Sequence, residues 1–277
     1  MNTKIASLLL FSILLCNCAS RKIKDVAYLK SADTKTAMQP ALNVFEPKNS
    51  KDAKNPVVIF VHGGYWTEGD KNTYGFLGRN FAKSDVVTVI AGYTLSPNAN
   101  YDSMAKEIAQ AVNWTVKNIE KYKGDPEQIY VMGHSAGGHL IALIATNPKY
   151  LENKNVLKGV ILNDAAGLDM KTYLDKNPPT SEHHYDVTWT KDPANWKDAS
   201  PIYFMDESMP PFLIYVGEKT YNSIISQNEA FVAKLKTYQP DIEPIFLNKK
   251  HVPMMSQFIF PWNKRYDEIL QFIKSDK

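Results

Sequence analysis

Ile129-Tyr130-Val131-Met132-Gly133-His134-Ser135-Ala136-Gly137-Gly138-His139-Leu140-Ile141-Ala142-Leu143-Ile144-Ala145 is the stretch that decides how the chain is read. Its first four residues are a short apolar, β-rich run, and from Gly138 onward most residues are good helix formers. Gly133-His134-Ser135-Ala136-Gly137 stands between them. Strand, sharp turn and helix is the context of a G-x-S-x-G nucleophile elbow, in which only small neighbours let strand and helix approach around a strained serine.

Working outward, Val57-Val58-Ile59-Phe60-Val61 is a continuous apolar run of strand length, which suits a strand buried on both faces in the middle of a sheet. It leads straight into His62-Gly63-Gly64-Tyr65-Trp66. Paired glycines after a buried strand make a tight turn, and they also let backbone N–H groups face a ligand. Beside a serine elbow, an oxyanion loop is the reading to prefer.

Other segments alternate strand and helix. Ala41 to Pro47 alternates apolar and polar residues as a half-exposed strand does; Asp85 to Ala91, Lys158 to Leu162, Pro211 to Gly217 and Ile242 to Leu247 complete the strands. Lys71 to Ser84, Tyr101 to Tyr122, Ser223 to Tyr238 and Trp262 to Lys274 are expected as helices, the second with apolar residues three or four apart. Such alternation implies an α/β fold with a mainly parallel sheet covered on both faces. From Leu168 to Met209 periodicity is weak and aromatics are frequent; about 168–200 is read as a small cap over the site, with Ala199-Ser200-Pro201 as the return to the core. No internal repeat and no second domain is evident.

The chain has 277 residues, 44% of them apolar, which is enough for a sizeable core. A formal charge of +3 with scattered lysines gives no support for nucleic-acid binding. Residues 1–20 are set aside as an export signal: Lys4 is a positive start, Ile5 to Leu15 is nearly unbroken apolar sequence too short to span a membrane, and small residues follow. Both cysteines, Cys16 and Cys18, lie in this segment, so the mature domain forms no internal disulfide. Leu15-Cys16-Asn17-Cys18 resembles a bacterial lipoprotein signal, although Leu15 and Asn17 stand where a small residue is usual. A lipidated cysteine anchoring the protein to a membrane is therefore preferred to a free periplasmic form. Residues 21–40 read as a polar tether leading to an edge element, and 41–277 as the main domain.

Parallel sheets bind ligands beyond the carboxyl ends of their strands. His62-Gly63-Gly64, Ser135, Asp164, Gly217-Glu218 and His251 all fall just after expected strands and should share one rim. A serine needs an imidazole to take its proton, and the imidazole needs a carboxylate to hold its tautomer. His251 is the best base. His134 should pack beneath the serine, His139 lies in the next helix, and His62 is better suited to shaping the glycine loop. His183 and His184 are adjacent and point apart if extended, a poor arrangement for a metal.

The two motifs, His62-Gly63-Gly64-Tyr65-Trp66 and Gly133 to Leu140, resemble those of an α/β-hydrolase of the esterase and lipase type, in the kynurenine formamidase (arylformamidase) and carboxylesterase branch. The resemblance runs from about Leu42 to the C-terminus. It implies Ser135 as nucleophile, His251 as base, and an oxyanion hole from the N–H groups of Gly64, Tyr65 and Ala136, with Gly63 shaping the loop. Trp66 and the aromatic cap suggest a small or aromatic substrate, although aromatics also fill cores. Relatives usually carry the acid three residues after the glycine ending the seventh strand, where this chain has Thr220. Asp164 is favoured as the substitute, and Glu218 is the alternative. The expected activity is hydrolysis of a small or aromatic ester through an acyl-enzyme, with no cofactor. Arylformamidase-like amide hydrolysis, or an inactive hydrolase fold used for binding, are the rival readings.

Overall fold

The structure is a computed structural model that describes residues 20–29, 40–51, 54–151 and 153–275. The export signal, Ser20 excepted, lies outside the described residues. Among those residues the strands are β1 (Ser20–Ala27), β2 (Ala41–Pro47), β3 (Asn55–Val61), β4 (Val87–Ala91), β5 (Gly124–His134), β6 (Leu157–Asn163), β7 (Phe212–Gly217) and β8 (Ile245–Leu247). The helices are α1 (Gly75–Phe81), α2 (Tyr101–Asn118), α3 (Ala136–Thr146), α4 (Met170–Lys176), α5 (Tyr185–Thr188), α6 (Ala194–Asp198), α7 (Asn222–Leu235), α8 (His251–Ser256) and α9 (Lys264–Ser275).

One sheet contains all eight strands in the order β1-β2-β4-β3-β5-β6-β7-β8. From β4 to β8 every pairing is parallel, while β1 and β2 add two antiparallel pairings at one edge. The α/β class with a mainly parallel sheet is thus observed. The sheet begins at Ser20: part of the segment expected as a tether is the edge strand β1, paired with β2 from Ser20↔Pro47 to Ala27↔Ala41.

The central strands are apolar throughout because each face has its own helix layer. Val57, Ile59 and Val61 of β3 join Val131 of β5 in one core with residues of α2 and α3. Val58 and Phe60 join Met132 in a second core with residues of α1, α8 and α9. The amphipathic α2 is capped by Asn100, whose side chain accepts the Ser103 N–H, satisfying one of the N–H groups left free at a helix start.

Several elements differ in extent from the sequence reading. The helix expected over Lys71–Ser84 is a short α1 flanked by 3₁₀ turns. Its Gly78 lets it lie against Phe45, since a Cβ there would fall 2.2 Å from the ring. The strand expected from Ile242 is confined to Ile245–Leu247, because Pro244 has no N–H for a ladder. The segment read as a cap, about 168–200, contains the short helices α4, α5 and α6.

The helix after the elbow crosses unusually close to the central strand. A Cβ on Gly137 would lie 2.1 Å from the Val61 carbonyl oxygen, a backbone atom that cannot swing aside. Gly137→Ala is expected to lower stability by about 1–3 kcal/mol, the usual range for overpacking. A urea titration checks this: the midpoint should fall while the slope stays unchanged.

Candidate active site

Ser135 occupies the turn between β5 and α3 with φ 53° and ψ −120°, a left-handed conformation that a non-glycine residue adopts only when its surroundings impose it. Its N–H donates to the Asn163 carbonyl at 3.3 Å, and its own carbonyl accepts from the N–H groups of His139 and Ala166. These bonds tie the turn to the end of β6 and the loop beyond it. The Oγ atom lies 2.8 Å from His251 Nε2.

His251 is the first residue of α8. Its Nδ1 is 2.6 Å from Asp164 Oδ2. With the Nδ1 proton donated to the carboxylate, the Nε2 lone pair faces the serine hydroxyl, as proton removal requires. Asp164 follows β6 directly, has no solvent exposure and sits at φ 52°. Its carboxylate also accepts the Gly217 N–H at 2.9 Å and the Thr220 hydroxyl at 2.5 Å. Asn163, one residue earlier, donates from Nδ2 to the Met254 carbonyl at 3.0 Å, fastening α8 to the sheet.

Glu218 is on the surface of the loop after β7, where its N–H donates to the Leu247 carbonyl. Among the described residues, the imidazole's side-chain hydrogen-bond partners are Ser135, Asp164 and Thr220.

The glycine loop adjoins the serine. A Cβ on Gly63 would approach both the His134 carbonyl and Ser135 Cβ to 2.9 Å. Gly64, Tyr65 and Trp66 have φ of 127°, 52° and 62°, three successive left-handed residues that turn the chain back sharply. The Gly64 carbonyl accepts from the N–H groups of Thr67 and Glu68, which fixes the turn. Ala136 is the first residue of α3, so its N–H lies ahead of the intrahelical ladder. The loop and the first N–H of α3 thus both adjoin Ser135.

The remaining histidines act as supports. His134 stacks on His251 with ring centroids 4.7 Å apart, and its Nε2 approaches the His251 carbonyl at 3.3 Å. Burial, with the neighbouring His251 second, pushes its pKa down to about 3. His139 accepts from Trp66 Nε1 at Nδ1 (3.2 Å) and donates from Nε2 to the Ala199 carbonyl (2.8 Å); burial pushes its pKa down to about 4. His62 shapes the loop through a 2.9 Å contact between Nδ1 and the Gly63 carbonyl.

A cavity of about 180 Å³ opens beside Ser135 and His251, walled by Tyr65, Trp66, Tyr173, Tyr185 and Tyr221, with Met170 and Ile224 supplying aliphatic surface. Trp66 is nearly buried and stands edge-on to Trp189 of the cap, 4.6 Å between centroids. The Tyr65 and Tyr221 hydroxyls meet at 2.9 Å, and this bond, with burial second, raises the Tyr65 pKa to about 12. Tyr65 also stacks on His183 of the cap.

Tyr221 was absent from the sequence candidates. Its signal was its position, four residues beyond Gly217 and on the same rim as the predicted acid loop. No group of three or more His, Cys, Asp or Glu side chains suited to a metal occurs among the described residues.

The model of the BD-FAE family matches residues 42–235, more than half of the chain and including both the glycine loop and the elbow. The chain belongs to the BD-FAE family. Similar curated proteins include esterase LipC of Mycobacterium tuberculosis, 29% identical over 209 residues, covering 70% of this chain and 52% of that protein. Isoprenylcysteine alpha-carbonyl methylesterase ICME of Arabidopsis thaliana is 25% identical, covering 85% of this chain and 59% of its own. The chain thus spans only a little over half the length of these two relatives. Among solved structures, esterase B from Lactobacillus rhamnosis, carrying a tributyrin phosphonate inhibitor, superposes with a TM-score of 0.75 at 21% identity, covering 93% of this chain and 86% of that one. A truncated carbohydrate esterase from gut microbiota gives a TM-score of 0.75 at 18% identity, covering 94% and 97%. This BD-FAE member has the α/β-hydrolase fold of the esterase type.

The depressed pKa of His139 makes stability pH-dependent. An unfolded histidine binds its proton near pH 6.5, whereas His139 in the fold does so only near 4. Between these values the unfolded state holds the extra proton, so stability falls as pH drops. The loss at pH 5 relative to pH 7.5 is about 2 kcal/mol from this residue, and His134 adds to it in the same direction. Urea midpoints at the two pH values should differ less in His139→Gln than in the parent.

Proposed function

We propose that the protein is a serine carboxylesterase acting on small or aromatic esters through an acyl-enzyme on Ser135. The observation that carries this is the line of contacts from Asp164 through His251 to Ser135 Oγ, 2.6 and 2.8 Å long, at the wall of a cavity. Membership of a family whose matched relatives are named esterases supports the same chemistry.

In this reading His251 Nε2 takes the serine proton as Oγ bonds to the ester carbonyl carbon. The oxyanion faces the N–H groups of Gly64, Tyr65 and Ala136, and each such donor contributes about 3 kcal/mol to the transition state in comparable enzymes. The leaving alcohol receives the proton from His251. Water, activated by the same imidazole, then releases the acid. Asp164, fully buried, holds the imidazole throughout and balances its positive charge.

A cavity of about 180 Å³ is smaller than the roughly 300–1,000 Å³ of drug-sized sites. Its tyrosines favour a short acyl group or an aromatic ring over a long lipid chain. Formamide cleavage is the second reading, supported by similarity to kynurenine formamidase of Danio rerio, 30% identical over 125 residues and covering 45% of this chain.

Initial rates test these readings together. p-Nitrophenyl acetate should be hydrolysed faster than p-nitrophenyl octanoate and N-formylkynurenine, and Ser135→Ala should remove the activity. Asp164→Asn should lower kcat by about 10⁴-fold, as loss of the orienting acid does in serine hydrolases, while Glu218→Gln should stay within about twofold of the parent. Equal rates for the parent and Ser135→Ala would instead support the inactive binding fold.

Export with a lipid on Cys16 or Cys18 belongs to the same proposal, supported by the apolar run and small residues of 1–20. Intact mass of the protein made in a bacterium should show loss of the signal and the added mass of acyl chains. A mass lacking both cysteines would leave a free exported protein.

A further inference from the structure

We infer that Thr220 is a positioning residue: its hydroxyl locks Asp164 and, through it, supports the His251 tautomer that leaves the Nε2 lone pair toward Ser135. This rests on the serine-hydrolase reading of Ser135.

A carboxylate without solvent contact must be matched by protein donors, because an unpaired buried charge is far costlier than a paired one. Asp164 is such a group. Oδ1 accepts the Gly217 N–H, while Oδ2 has two neighbours, His251 Nδ1 at 2.6 Å and Thr220 Oγ1 at 2.5 Å. Removing the hydroxyl would leave Oδ2 held by the imidazole alone, the group whose orientation it is supposed to control.

The direction of the Thr220 proton reinforces or opposes the tautomer that the Asp164 carboxylate, 2.6 Å from Nδ1, requires. Thr220 Oγ1 lies 3.2 Å from His251 Nδ1 as well as 2.5 Å from Asp164 Oδ2. A hydroxyl has one proton to donate. Given to His251, it would require a bare Nδ1, so Nε2 would carry the ring proton and could not accept one from Ser135. Given to Asp164, it leaves the threonine lone pairs toward the ring, where they favour a proton on Nδ1. The shorter distance and the negative charge both select Asp164. The Nδ1–H then points at two oxygens, the carboxylate and the hydroxyl, and the Nε2 lone pair faces the nucleophile.

The threonine is itself held. Its N–H donates to the Gly217 carbonyl at 3.3 Å, closing the turn whose Gly217 N–H binds Oδ1. One tight turn after β7 thereby addresses both oxygens of the carboxylate. A β-branched side chain has few χ1 choices, so a fixed backbone largely fixes the hydroxyl.

The test compares Thr220→Val, which keeps the shape and removes the hydroxyl, with Thr220→Ser, which keeps the hydroxyl. Two rates are measured on the purified full chain: turnover of p-nitrophenyl acetate, and covalent labelling of Ser135 by an alkyl fluorophosphonate. In labelling, the Oγ–P bond forms, the P–F bond breaks, fluoride leaves and His251 Nε2 receives the serine proton. Thr220→Val should lower kcat and the labelling rate about 10- to 100-fold, the effect of losing a hydrogen bond to a charged group, with KM within about twofold. Thr220→Ser should recover both rates to within about threefold of the parent, even if its melting temperature is no higher than that of the valine variant. Parent rates in Thr220→Val, or a serine variant as slow as valine, would overturn the inference while leaving the esterase reading intact. Labelling of the parent that persists in Ser135→Ala would overturn both.

Discussion

The approach of α3 to β3 at the elbow is the constraint on which the site depends. With 2.1 Å between a built Gly137 Cβ and the Val61 carbonyl, no side chain fits there, and the helix start is pressed against the end of the central strand. Val61 is also the last residue before the glycine loop. The same contact therefore sets Ser135, the first N–H of α3 and the glycine loop relative to one another. The left-handed φ of Ser135 follows from it: a chain leaving β5 must reverse within one residue to enter a helix so close to the sheet.

Local features of this arrangement were legible in the sequence. Val57 to Val61 reads as a central strand because burial on both faces removes the need for polar alternation, and the elbow reads from adjacent residues alone. The acid was harder. Both Asp164 and Glu218 follow strands, and choosing between them depends on where each side chain points after the strand ends. Asp164 turns inward at φ 52° beneath the β7 loop, a relation between neighbouring strands that no stretch of sequence contains. The helices within the segment read as a cap were illegible for another reason. They have seven, four and five residues, too few turns for a 3.6-residue period to show, and they are held by aromatic contacts such as Trp66 with Trp189 rather than by their own pattern.

Histidines in this chain divide by environment. His62, His134 and His139 are buried and held toward the neutral form; His62 and His134 each set one ring nitrogen against a backbone carbonyl, and His139 divides its two between Trp66 and the Ala199 carbonyl. His251 is the one whose ring contacts a hydroxyl on one side and a carboxylate on the other. Residue type alone offered six candidates; partners separate them.

The end of β6 has a mechanical role besides its chemical one. Asn163 holds the Met254 carbonyl and Asp164 holds the His251 ring, so α8 is moored to an interior strand. The edge strand β8, only three residues long, precedes His251 in the chain but carries little of that anchorage. The connection from Tyr238 to Pro244, between α7 and β8, is mostly exposed or half-exposed. Insertions there would lengthen a surface loop at small entropic expense while His251 stayed moored from the interior. Because β8 runs parallel to β7, this connection lies at the amino ends of the strands, so a lineage of such proteins could vary it without touching the rim that carries Ser135, Asp164 and His251.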